Sequence, residues 1–197
     1  MNIEHLTKPL VEGLVYAPIY KKGSLMNSGK PATGKNPFEE SYDREFGPAD
    51  VAVALRKNPD LQAVGLFTGI RGKGIVILDV DKNLRKLLKV WGNSLEDAPK
   101  VTSPKKNAAK FIFRIPENLW SEVKGHGLRE EYGGEYEILW NNSRQGVITG
   151  AYPGHSRSKT PEGHYLLNGD LNAIPEAPAW LIAEMKAPPR TNQNRKD

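Results

Sequence analysis

The chain has 197 residues, 38% hydrophobic and 26% charged, which is typical of a globular protein with one domain or one domain and a small appendage. It contains no cysteine, so disulfides, thiolate zinc sites and a cysteine nucleophile are excluded. The formal net charge is +5, but residues 186–197 hold four basic side chains and one acidic one, which leaves a net charge of +2 on the rest. A polyanionic partner would therefore contact a local groove, not a uniformly positive surface.

The N-terminal stretch MNIEHLTKPL lacks the apolar core of a signal peptide, and no apolar run reaches membrane-spanning length. We therefore expect a cytoplasmic protein with no membrane partner.

The first part of the chain predicts a helix end and a strand within residues 10–19, then a long loop over residues 21–47. The loop contains Gly29-Lys-Pro-Ala-Thr-Gly34-Lys35-Asn36, close to the phosphate-binding pattern G-x-x-x-x-G-K-[ST]. We reject that match because an asparagine replaces the metal-binding hydroxyl, no strand precedes the loop and a proline follows it. Lys30 and Lys35 stay candidates for contacts with a template or a nucleotide. A helix is predicted over residues 48–58.

The stretch Gly65 to Asp81 reads as two apolar runs joined by a glycine-rich turn, with strands predicted over residues 63–68 and 74–81. Because side chains alternate along a strand, Ile75, Ile77, Asp79 and Asp81 share one face. Two neighbouring carboxylates repel each other unless a cation or a proton intervenes, and Mg²⁺ is a common solution. A strand that simply ends in solvent, with Asp81 capping the next helix, remains the alternative at this stage.

The remaining elements alternate irregularly between strands and helices, which favours an α+β fold. The segment after residue 140 is predicted to return as a hairpin with the preceding strand. Strands are predicted over residues 100–102, 110–115, 135–140, 145–149 and 165–167, helices over 83–90, 117–123 and 177–185, and a disordered tail over 187–197.

Several polar residues sit on otherwise apolar predicted strands: Asp79, Asp81, Lys110 and Glu137 (or Glu135). Three converging carboxylates with nearby cations are the composition of a two-metal phosphoryl-transfer site. Lys110 and the loop cations His155, Arg157 and Lys159 would then neutralise a triphosphate. Solvent-exposed charges on edge strands remain the alternative for Glu137 and Lys110.

The sequence Gly65-Leu-Phe-Thr-Gly69 followed by Ile75-Val-Ile-Leu-Asp79-Val-Asp81 resembles the signature of the bifunctional primase-polymerase domain of the archaeo-eukaryotic primase superfamily. Later segments resemble further pieces of that domain in the same order, and the similarity covers about residues 10–185. These segments are Val101–Pro104, Tyr136–Trp140, Tyr152–His155, Gly163–Tyr165 and Pro178–Leu181.

The resemblance implies an RRM-like catalytic half packed against an N-terminal αβ unit, with mixed or antiparallel sheets flanked by helices. Residues 1–185 would form this domain, and 186–197 a basic disordered tail or linker. It further implies template-directed nucleotide addition with two Mg²⁺ or Mn²⁺ ions held by Asp79, Asp81 and Glu137.

Two positions depart from the pattern of the family. Lys110 stands where the family often has a histidine that contacts the incoming phosphates, and a lysine can still bind phosphate as a point charge. The segment Ala151-Tyr-Pro-Gly-His155 is also altered. Ser103, in the stretch before Lys110, joins the candidate nucleotide contacts.

The sequence thus predicts a DNA primase-polymerase of a plasmid, phage or other mobile element. Its partners would be a single-stranded DNA template, ribo- or deoxynucleoside triphosphates and a helicase domain or protein. A metal-dependent nuclease or phosphatase using the same carboxylates is the second hypothesis. A non-catalytic nucleic-acid-binding relative is the third.

Overall fold

The computed structural model describes residues 3–156 and 159–187. In this part of the chain the fold is α+β, as predicted, with one large antiparallel sheet and a few short helices. The strands are β1 (Tyr16–Tyr20), β2 (Leu61–Phe67), β3 (Ile75–Lys82), β4 (Lys100–Thr102), β5 (Ala109–Arg114), β6 (His126–Glu131), β7 (Gly134–Leu139), β8 (Gln145–Tyr152) and β9 (Gly163–Asn168). The α-helices are α1 (Glu4–Thr7), α2 (Glu40–Asp43), α3 (Pro48–Lys57), α4 (Leu84–Trp91) and α5 (Ala179–Lys186).

The sheet has the order β1-β2-β8-β9-β4-β5-β3-β7-β6. Each of these neighbouring pairs is antiparallel. We call β1, β2, β8 and β9 the first half-sheet, and β4, β5, β3, β7 and β6 the second half-sheet. The two halves meet at the pairing of β9 with β4.

The two faces of β3 belong to two different hydrophobic cores, as its alternation predicts. Ile75 and Ile77 are fully buried in a core shared with the first half-sheet. Val76, Leu78 and Val80 are buried on the other face, in a core that includes side chains of α4 and α5. The face that starts with Ile75 and Ile77 leaves the first core at Asp79, where exposure begins. The strand therefore delivers its two aspartates to the edge of the region between the half-sheets.

The predicted hairpin of residues 135–140 with 145–149 is wrong. β7 pairs with β3 and β6, whereas β8 pairs with β2 and β9. The connecting turn is held by the end of β2: the Asn141 N–H donates to Thr68 Oγ1 at 3.2 Å, and the Thr68 N–H donates to the Arg144 carbonyl at 3.1 Å. These bonds lead the chain from one half-sheet to the other instead of closing a hairpin.

The short helix predicted over 117–123 is confirmed only at its start, as a 3₁₀ helix (Glu117–Leu119), and the edge strand β6 that follows was not predicted. This strand has the sequence HGLREE, which lacks the apolar alternation by which strands are recognised. Its pairing with β7 and the ion pair of Arg129 with Glu184 on α5 hold it in place. The strand pairing and the ion pair both involve residues outside β6, so the sequence of β6 alone does not predict this strand.

The longest described helix, α3, has ten residues, and none of the described helices has the length and apolar content needed to cross a membrane. Residues 188–197 lie outside the described residues, as does Arg157. The disordered tail therefore stays a prediction.

Candidate active site

Asp79 lies at the centre of a row of charged residues that crosses three strands. It is directly opposite Lys110 on β5 and directly opposite Glu137 on β7. Residues opposed in this way point to the same face, with Cβ atoms about 5 Å apart. Glu137 and the aspartates of β3 are therefore brought together although almost 60 residues separate them in the chain.

Asp81 follows two residues later, at an irregularity in the pairing of β3 with β7. Because the register shifts between Val80 and Lys82, Lys82 lies opposite Glu135 and its ammonium is 2.6 Å from that carboxylate. Asp81 instead contacts the Lys105 ammonium at 2.5 Å. Glu135 is thus engaged elsewhere, and Glu137 is the third carboxylate of the site.

The alternative role of Asp81 as a helix cap is not observed. The residue before α4 is Asn83, in the left-handed region with φ of 56°, and its side chain makes no capping hydrogen bond. The Asn83 amide donates to the Gly133 carbonyl at 2.7 Å, which ties the start of α4 to the turn before β7.

Each of the three carboxylates has a basic partner. Asp79 pairs with Lys110, and both side chains are less than one-fifth exposed. Asp81 pairs with Lys105, and Glu137 lies 3.5 Å from the guanidinium of Arg144. The acidic cluster is thus balanced by the protein's own cations.

Burial raises the pKa of the Glu137 carboxyl, and the negative charges of Asp79 and Asp81 raise it further. The guanidinium of Arg144, and more weakly Lys110, act in the opposite direction. Burial outweighs the basic neighbours, so the folded protein holds a proton on Glu137 more readily than the unfolded chain does.

Glu137→Gln should raise the melting temperature at pH 7 by about 2 °C, because an ionised carboxylate with a raised pKa opposes folding. The gain should vanish as the pH falls below the ordinary glutamate pKa of 4.5, where the parent carboxyl is protonated in both states. Thermal unfolding at pH 7 and at pH 3.5 measures both, with the exposed Glu96→Gln as the control. A gain of equal size at both pH values would contradict the assignment.

Three adjoining cavities form a groove over this row. The central cavity, of about 240 Å³, is lined by all three carboxylates. A second cavity, of about 620 Å³, is lined by Lys82, Lys105, Lys106 and Lys159, and we call it the lysine cavity. It shares Asp81 and Lys105 with the central cavity. The arginine cavity, of about 320 Å³, contains Arg144 and shares Asp79, Glu137 and Lys110 with the central cavity. The carboxylates therefore lie midway along a continuous groove.

Two tyrosines form the wall of the central cavity that belongs to the first half-sheet. Tyr152 on β8 and Tyr165 on β9 are almost fully buried, and their rings meet edge to face at 5.1 Å between centroids. Burial raises the pKa of both phenols, and the negative charge of Asp79 raises that of Tyr165 further. Both therefore stay neutral beside the carboxylates.

The predicted nucleotide and template contacts are distributed unevenly. Ser103 and His155 line the central cavity, and Lys159 lines the lysine cavity. Lys35 lines both the central and the arginine cavity. Lys30 lines none of the three; it lies on an exposed turn where its carbonyl accepts from the Met26 N–H at 3.0 Å.

Lys105 and Arg144 were not predicted as site residues. Lys105 lies in the sequence Pro-Lys-Lys-Asn, which looks like any solvated turn, and Arg144 lies in the turn assigned to the hairpin. The one available signal was that Lys105 comes two residues after the candidate Ser103.

The carboxylate oxygens of Asp79, Asp81 and Glu137 are suitable donors for Mg²⁺ or Mn²⁺. Within residues 3–156 and 159–187, however, no group of three or more histidine, cysteine, aspartate or glutamate side chains could hold a metal ion as placed. The lysine ammoniums occupy both aspartates. Each lysine contacts one oxygen of its aspartate, so a metal ion would compete with the lysine or bind the second oxygen.

A scan against protein-family models found no matching model, and a search of curated proteins found no match. Membership of the primase-polymerase family stays a prediction that depends on the motifs.

Proposed function

We propose that the protein is a metal-dependent primase-polymerase that adds nucleotides to a primer on a single-stranded DNA template. The observation that carries the proposal is the row in which Asp79 is in register with both Lys110 and Glu137, within a groove that also contains Asp81. Paired carboxylates and adjacent cations are what phosphoryl transfer requires.

In this proposal the second half-sheet, with α4 and α5, is the RRM-like catalytic half. The N-terminal αβ unit corresponds to β1, β2 and α3, and β8 and β9 from later in the chain complete its half-sheet. The groove between the two half-sheets supplies the catalytic cleft, since cavities between structural units are frequent ligand sites. The two tyrosines on β8 and β9 would close the cleft on the side opposite the carboxylates.

Asp79, Asp81 and Glu137 would hold the metal ions. Bound Mg²⁺ or Mn²⁺ would stabilise the charge that develops when a 3′-hydroxyl attacks the α-phosphorus and pyrophosphate leaves. Lys110, released from Asp79, would neutralise a phosphate oxygen, and Ser103 and His155, which line the same cavity, would orient the phosphates. Lys159 would act from the lysine cavity.

Lys35 is exposed and lines both the central and the arginine cavity, and it would contact the template backbone or the nucleotide. Lys30 lines none of the three cavities, so its contact with the template or the nucleotide would be weaker. A helicase domain or protein as a partner, replication of a mobile element and a cytoplasmic location belong to the same proposal.

Incubation of the protein with a labelled primed template, deoxynucleoside triphosphates and Mn²⁺ tests the proposal. Extension of the primer is the expected result. Shortening of the labelled strand would reject polymerisation in favour of the nuclease hypothesis. Template binding without either reaction would favour a non-catalytic nucleic-acid-binding protein.

A further inference from the structure

The lysine cavity has the charge and the size for a polyphosphate. Its lining has four lysines against two acidic side chains, and its volume of about 620 Å³ is the largest of the three cavities. The lining residues are Asp81, Lys82, Pro104, Lys105, Lys106, Glu135, Lys159, Thr160 and Pro161. A cleft lined mainly by one sign of charge concentrates ligands of the opposite sign. Asp81 lines both this cavity and the central cavity. A triphosphate bound in the lysine cavity would therefore lie beside the carboxylates of the proposed reaction.

Lys105 lies at the boundary between the lysine cavity and the central cavity, since it lines both. Its ammonium contacts Asp81 Oδ1 at 2.5 Å, and its side chain is 22% exposed. Its backbone N–H donates to Ser103 Oγ at 3.3 Å, so the loop after β4 is held while the long side chain can turn. Lys82 also lines the lysine cavity but not the central cavity, and its ammonium pairs with Glu135.

We propose that Lys105 is a movable cation that neutralises Asp81 until a divalent metal ion takes that carboxylate, and that then binds the phosphates of a nucleoside triphosphate in the lysine cavity. An ammonium and a metal ion on one carboxylate repel each other, which favours the departure of Lys105 from Asp81 once a metal ion is bound. Its flexible stem and three rotatable donors suit the move to a phosphate. This inference rests on the proposed function, because it uses the same carboxylates and the same class of substrate.

Two binding measurements on the whole chain test the exchange, and neither needs catalysis. Lys105→Met should bind Mn²⁺ about tenfold more tightly than the parent in the absence of nucleotide, because a competing cation is removed. It should bind dATP about tenfold more weakly at saturating Mn²⁺ without template, because a phosphate ligand is lost. Titration calorimetry measures both. A lysine that only braces its loop would not shift the two affinities in opposite directions.

The matched control is Lys89→Met, which removes a lysine from the exposed face of α4 and should leave both affinities unchanged. Lys105→Arg keeps the charge and should restore most of the dATP affinity. If Lys105→Met does not fold, Lys105→Gln replaces it, because glutamine is polar and uncharged. Unchanged or weaker Mn²⁺ binding by the neutral variant, or unchanged dATP binding, would overturn the inference. Opposed shifts in a protein that extends no primer would keep the inference and reject the polymerase.

Discussion

Asp79→Asn should reduce primer extension by about a thousandfold. The substitution keeps the shape of the side chain but removes the negative charge that lies between Lys110 and Glu137. Loss of about 4 kcal/mol of transition-state stabilisation accounts for a reduction of this size, which is within the range that a bound metal ion supplies. Single-turnover extension of a labelled primer at saturating nucleotide measures it.

The change also leaves Lys110, a cation whose side chain is less than one-fifth exposed, without the partner it has in the parent protein. Thermal unfolding therefore accompanies the assay, and the double variant Asp79→Asn/Lys110→Gln restores the charge balance if the single variant unfolds. Glu96→Gln changes an exposed carboxylate that lines none of the three cavities, so it is the control and should keep full activity. Extension by folded Asp79→Asn at more than one-tenth of the parent rate would remove Asp79 from the site.

The local geometry of the site follows from the sequence. Alternation alone places Asp79 and Asp81 on one face of a strand, and it separates Lys110 from Phe111 and Phe113 on β5. The structure confirms both placements. Asp79 and Asp81 line the central cavity together. Phe111 and Phe113 are buried in the core that includes side chains of α4 and α5, while Lys110 lines the groove. These predictions succeed because a strand has a fixed period of two and needs no knowledge of its neighbours.

The neighbours of each strand could not be predicted in the same way. The turn at Asn141 looked like a hairpin because its local sequence favours one, but the hydroxyl of Thr68, more than 70 residues earlier, holds it in another path. The partner of Asp81 was missed for the same reason: nothing near Lys105 in the sequence shows that its loop folds back over β3. Contacts between distant segments decide both, and a single sequence does not encode them in a readable pattern.

The turn between β2 and β3 is where the chain passes from the first half-sheet to the second. Gly72→Ala should destabilise the protein by about 3 kcal/mol, because a Cβ at this position would lie 2.1 Å from the Phe67 carbonyl oxygen and 2.6 Å from its carbon. Backbone atoms cannot rotate away as the end of a side chain can, so β2 or the turn must shift. The melting temperature should fall by about 10 °C for a chain of this length.

Gly127→Ala on β6 is the matched control, because a Cβ there would meet no heavy atom within 4 Å. Both substitutions reduce the freedom of the unfolded chain by the same amount, so the difference between them isolates the clash. Gly127→Ala should leave the melting temperature within about 2 °C of the parent. Equal melting temperatures for the two variants would mean that the turn accepts a side chain. The path from β2 to β3 would then not depend on the close approach at Gly72. Strand pairing of β3 with β5 and β7 alone would have to fix the position of the aspartates at the end of β3.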